Sequence, residues 1–97
     1  MATAQISVEA RVAAGVDHLD RTLGVDWPHR VDVDDLPFRD VISQLYGDFF
    51  SWRSRERWSD GSVFAAGFDA PSLDGVPELT REWTRRINAL QAARPAA

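Results

Sequence analysis

The residues of this chain whose types could support acid–base or metal chemistry are two histidines, a single tyrosine and a run of carboxylates. His18 and His29 are the available imidazoles, and Tyr46 and Asp48 complete the set from which a general acid–base pair could be drawn. A predicted helix end and the Trp27-Pro28 break lie between the histidines, so spacing does not bring them together. Asp32-Val33-Asp34-Asp35 sets carboxylates at alternate positions, as a calcium loop begins. Counted from Asp32, however, Leu36 and Pro37 stand at the fifth and sixth positions, where such a loop needs an oxygen ligand and a glycine. The stretch reads instead as a solvated edge that ends in an acidic cap for the next helix, favourable to its dipole. No Gly-rich phosphate loop, Gly-x-Ser-x-Gly elbow, lysine or cysteine occurs in the sequence. We therefore assign no catalytic, metal-ligating or cofactor-binding residue and expect no cofactor. An enzyme is the third-ranked reading, and it requires His18, His29, Tyr46 and Asp48 to converge in one pocket.

The most distinctive local composition is Trp52-Arg53-Ser54-Arg55-Glu56-Arg57-Trp58, three arginines bracketed by two tryptophans in an acidic chain. Tryptophan and arginine dominate protein-interface hot spots, so Trp52, Arg53, Arg55, Arg57 and Trp58 are the candidate residues for gripping a protein partner. The alternative is a weak single-strand nucleic-acid contact, with arginines on phosphates and tryptophans stacked on bases. The plain structural reading has Trp52 ending a core stripe, Trp58 packed under the following loop, and the arginines pointing into water.

These residues must be positioned by helices. Val8, Val12, Val16, Leu19 and Leu23 recur at helical spacing behind Ser7, a good N-cap, which predicts a first helix over 7–23 stopped by Gly24. Gly15 falls on the same face, where a missing side chain lets a partner approach closely. Trp27-Pro28 should break any helix, and Arg30 to Asp34 alternates like a short extended segment. Val41, Ile42, Leu45, Phe49 and Trp52 share a face of a second helix over 38–52, which Gly47 either interrupts or occupies on the exposed side. A short helical turn is expected near 62–66. A last helix over 77–93 carries Val76, Leu79, Trp83, Ile87 and Leu90 inward, with Glu78/Arg81, Glu82/Arg85 and Glu82/Arg86 spaced for ion pairs. The fold class is therefore mainly α, a small bundle of three main helices with Phe38, Phe64 and Phe68 filling gaps.

Ninety-seven residues, 44% of them hydrophobic and 27% charged, suit one globular domain over 7–93 with flexible ends at 1–6 and 94–97. A domain this small buries about 65% of the surface its unfolded chain exposes, which leaves little stability in reserve. Eleven arginines against fifteen acidic residues give a net charge of −4, which opposes wholesale attraction to nucleic acid or an anionic membrane. No run approaches the ~20 apolar residues of a membrane span, and Met1 to Gln5 lacks the basic and apolar regions of a signal peptide, so a cytoplasmic protein is expected.

Several phrases together resemble a group of small uncharacterised proteins of actinobacteria and their bacteriophages. They are Arg11-Val12-Ala13-Ala14-Gly15 with Leu19-Asp20, Arg30-Val31-Asp32-Val33-Asp34 with Leu36, Gln44-Leu45-Tyr46-Gly47-Asp48-Phe49, Gly67-Phe68-Asp69, and Leu79-Thr80 followed by Trp83 and Ile87. The cysteine that members often carry just before the Gln-Leu-Tyr-Gly phrase is absent here. The resemblance implies a small helical domain of phage or prophage origin and transfers no activity. The leading expectation is a non-enzymatic interaction module that binds a host or phage protein, with the oligomeric state left open.

Overall fold

The computed structural model describes residues 7–70 and 73–94, and among these the architecture is mainly helical with no strand. Of the flexible ends expected at 1–6 and 94–97, all but Arg94 lie outside the described residues. Helix α1 (Val8–Leu23) begins as its sequence dictates. Ser7 is extended and its Oγ accepts from the Ala10 N–H at 3.1 Å, a cap worth about 1 kcal/mol. Its inward stripe is Val8, Val12, Gly15, Val16 and Leu19, and Gly24 closes the last turn.

Gly15 is the point of closest approach. A Cβ there would lie 2.2 Å from the Ala66 carbonyl oxygen and 2.9 Å from the Trp83 ring, so only glycine fits. The helix propensity that glycine forfeits, about 1 kcal/mol, is offset by the packing it permits.

The final helix α5 (Val76–Ala93), numbered after the three short ones below, starts with Pro77 in its first turn and buries Leu79, Trp83 and Ile87. Of the ion pairs expected along it, Glu82–Arg85 forms, with Arg85 Nε donating to Glu82 Oε1 at 2.9 Å; among the described residues Glu78 and Arg81 make none. Asp20, near the end of α1, meets Arg94, just past the end of α5, and the charge of Glu9 reaches Arg85 farther back. The two long helices therefore advance in the same direction, and residues 24–75 must return the chain to the starting end.

That return departs from expectation in two places. The single helix expected over 38–52 is two, α2 (Val41–Tyr46) and α3 (Phe49–Arg55). The cause is local: Gly47 adopts φ +92°, a left-handed conformation that ends α2, and Asp48 caps α3 by accepting from the Ser51 N–H at 2.8 Å. The start also shifts, because Asp40 caps α2 through the Ser43 N–H at 2.7 Å and Phe38 is left in a turn. Phe38 is 85% exposed, so it fills no gap in the core, whereas Phe68 does.

Residues 27–35, read as a helix break and an extended stretch, instead form two 3-10 turns, Trp27–Arg30 and Val33–Asp35. Proline is tolerated at the start of such a turn because the N–H it lacks would be unpaired there. The apolar alternation still sorts the side chains, with Val31 inside and Asp32 outside. Gln44 ties this stretch down: its Oε1 accepts from the Asp32 N–H at 2.8 Å, and its Nε2 donates to the Asp32 and Arg39 carbonyls at 3.0 and 2.9 Å.

The helical turn expected near 62–66 is α4 (Asp60–Ala65), capped by Ser59. Trp27, Trp52, Leu19, Ile42 and Ile87 are the largest fully buried side chains, and they come from both long helices and from the returning segment. Phe68 stacks on Trp83 with centroids 5.9 Å apart, while Trp83 Nε1 donates to the Gly67 carbonyl at 2.6 Å.

Candidate functional site

The four acid–base candidates do not share a pocket. His29 Nε2 contacts the Arg94 carbonyl at the far end of α5. His18 sits between the rings of Trp58 and Phe68, with centroids 4.9 and 6.0 Å away. Burial lowers its pKa, the nearby Arg21 charge lowers it further, and Glu56 opposes both. Tyr46 shares its hydroxyl with Thr22 Oγ1 at 3.4 Å and lays its ring 5.7 Å from Trp52. Asp48 is occupied in capping α3, and that bonding holds its carboxyl below the ordinary range. The Asp32–Asp35 run is similarly engaged: Asp32 accepts from the Asp34 N–H at 3.0 Å, and Asp35 lies 3.8 Å from Arg39. Among the described residues no three side chains cluster as metal ligands would.

The Trp/Arg segment divides into an inner and an outer set. Trp52 is 1% exposed and lies among Tyr46, Phe49, Trp58 and Phe68, so its ring faces no partner. Trp58 is half-buried, 5.1 Å from Trp52 and edge-on to Phe68. Arg53 braces the turn, since its Nε donates to the Trp58 carbonyl at 3.2 Å and its Nη2 pairs with Asp60. Arg55 and Arg57 remain, both exposed and without an ion pair among the described residues.

The turn that displays these arginines is held by backbone hydrogen bonds. Arg57 takes φ +56°, a left-handed conformation that costs a non-glycine residue about 1 kcal/mol. The surrounding bonds fix it there: Arg57 N–H to Ser54 O at 3.3 Å, and Trp58 N–H to Arg53 O at 3.1 Å. Phe50, earlier on α3, is the other exposed large side chain of this short segment. It is 72% exposed because it stands two positions from Trp52, roughly the opposite side of a helix. The sequence reading passed over Phe50, although its place off the Val41–Trp52 stripe was a visible signal.

A second feature has no counterpart in the sequence reading. The turn at 36–41 stands away from α5 and leaves a cleft of about 200 Å³. Its walls include Leu36, Val41, Phe68, Leu79 and Trp83, and the exposed Phe38 stands at its edge. Asp40 and Asp69 are the only charged lining residues among those described. Each accepts one backbone N–H, from Ser43 and Ala70, and neither forms an ion pair among the described residues. No helix among the described residues is long and apolar enough to cross a membrane. In comparisons with known proteins, no family model, no curated protein and no solved structure matches the chain.

Proposed function

We propose that this protein is a non-enzymatic interaction module whose working face is α3 and the turn after it. The observation that carries the reading is the division of labour within residues 50–58. Trp52, Trp58 and Arg53 brace the turn from inside, while Phe50, Arg55 and Arg57 face water. An exposed aromatic in the same short segment as exposed arginines on a hydrogen-bonded turn is what hot-spot recognition favours, because less ordering entropy is lost on binding. The matching surface is an acidic segment that offers an apolar recess. The resemblance noted above favours a phage or prophage accessory factor acting in the actinobacterial cytoplasm on a host or phage protein.

The test is a tagged pull-down from an actinobacterial lysate with and without nuclease, comparing the native protein with the triple variant Phe50→Ala, Arg55→Ala, Arg57→Ala. A partner that survives nuclease and drops at least about tenfold with the variant is the expected result. Loss of every captured species on nuclease treatment would replace this reading with a nucleic-acid contact, whose affinity must then fall steeply with salt.

A further inference from the structure

The surface that the α3 face requires, an apolar recess flanked by carboxylates, occurs on this same chain. The cleft between the 36–41 turn and α5 is lined mainly by apolar side chains, Leu36, Val41, Phe68, Leu79 and Trp83 among them, and its charged lining among the described residues is Asp40 and Asp69. Its volume of about 200 Å³ exceeds the ~150 Å³ in which an apolar cavity holds a benzene ring. Phe50 is an exposed ring in the same short segment as Arg55 and Arg57, which are exposed and carry no ion pair among the described residues. Cleft and anchor thus match in polarity, in size and in sign of charge, and each lacks a counterpart within its own molecule.

We propose that the cleft is a receptor for a second copy of this chain: Phe50 of one molecule enters the cleft of the next, with Arg55 and Arg57 against Asp40 and Asp69. This rests on the interaction-module reading and names its partner. The surfaces differ, so the contact is heterologous, head to tail, and propagates into a ring or an open chain. One ring and two partly solvated charge pairs make it weak and salt-sensitive, with a dissociation constant on the order of 100 μM.

Complementary disabling tests this directly. Phe50→Asp removes the anchor and leaves the cleft, whereas Val76→Arg, at a partly exposed cleft-lining position, obstructs the cleft and leaves the anchor. Sedimentation equilibrium from about 20 μM to about 1 mM should show the native protein growing in mean mass, and each variant alone, its helical circular dichroism unchanged, should stay monomeric. Mixed together, the variants should form a species that stops at two chains. In a third variant, Asp40→Asn with Asp69→Asn, asparagine still caps α2 and association should weaken about tenfold.

A native protein monomeric at about 1 mM overturns the proposal, as does association that either single variant leaves unchanged. A mixture that stays monomeric while the native protein associates overturns it too. The interaction reading fails separately: it survives a monomeric protein if a nuclease-resistant partner still requires Phe50, and falls if no partner does.

Discussion

Asp20 and Arg94, 74 positions apart, meet in a two-bonded pair, Nη1 to Oδ1 at 2.8 Å and Nη2 to Oδ2 at 3.0 Å. Trp27 Nε1 donates to the same carboxylate at 2.7 Å, so one acidic group joins α1, the first 3-10 turn and the end of α5. The pair places Arg94 in the fold, where the composition of the terminus read as the start of a flexible tail.

Asp20→Asn should cost about 1–2 kcal/mol in urea unfolding at neutral pH, because it breaks a paired, half-buried charge and weakens the bond from Trp27. Burial by itself would raise the Asp20 pKa, but the bonds from Arg94 and Trp27 outweigh it and hold the carboxyl below its ordinary 3.8. The pair's contribution is therefore complete above that value and disappears as pH falls through the lower folded one. The gap between native and variant stabilities should be constant from pH 7 to about pH 5 and close below about pH 4. A gap that persists in acid would show that Asp20 acts through packing instead.

His18 supplies a second pH window. Its folded pKa is lowered below 6.5, first by burial and then by Arg21, against the opposing Glu56. The unfolded chain then binds its proton more readily, so stability is full above 6.5 and is lost as pH falls from there through the folded value. The urea midpoint should be lower at pH 5.5 than at pH 7.5 for the native protein, and the difference should be clearly smaller for His18→Gln. Histidine proton shifts in nuclear magnetic resonance should place the His18 titration below 6.5.

Two glycines on helices should respond oppositely to alanine. At Gly15 the added Cβ meets a backbone oxygen that cannot yield, so Gly15→Ala should destabilise by about 2–3 kcal/mol despite better helix propensity, lowering the melting temperature by about 8–20 °C. At Gly61, inside α4, nothing lies within 4 Å of the added Cβ. Gly61→Ala should stabilise by about 0.5–1 kcal/mol. Thermal unfolding of the two variants side by side decides the matter.

Arg57 separates stability from binding. Arg57→Gly relieves the left-handed strain and should raise stability by about 0.5–1 kcal/mol in urea unfolding, while it removes a cation from the proposed partner surface. A variant more stable than the native protein that captures less partner would mark Arg57 as kept for recognition. Undiminished capture would show that Arg55 and Phe50 suffice.

Both long helices were legible because their apolar residues repeat at helical spacing over 16 and 18 residues, long enough for periodicity to outweigh local exceptions. Across 38–52 the same spacing misled, since Val41, Ile42 and Trp52 all reach the core, but from two helices redirected at Gly47. The split did leave a trace in the sequence. Asp40 with Ser43, Asp48 with Ser51, and Ser59 with Ser62 each set a capping side chain three residues before the N–H it accepts from. The inward turn of Trp52 followed from its place on the stripe. The cleft left no trace, because its walls come from residues near 36–41, 68 and 79–83 that meet only in three dimensions.

The parallel course of α1 and α5 also governs how the chain reaches this state. Two helices running the same way cannot zip together as a hairpin, so their contact must wait for closure of a loop more than fifty residues long, E.g. from Asp20 to Arg94 across 74 positions. The intervening helices span only six or seven residues each, far below the about 12–15 at which an isolated helix holds in water. The returning segment's helices therefore cannot hold ahead of the long-range contacts. A chain cut short before α5 loses Leu79, Trp83 and Ile87 from its core and should not reach the native fold.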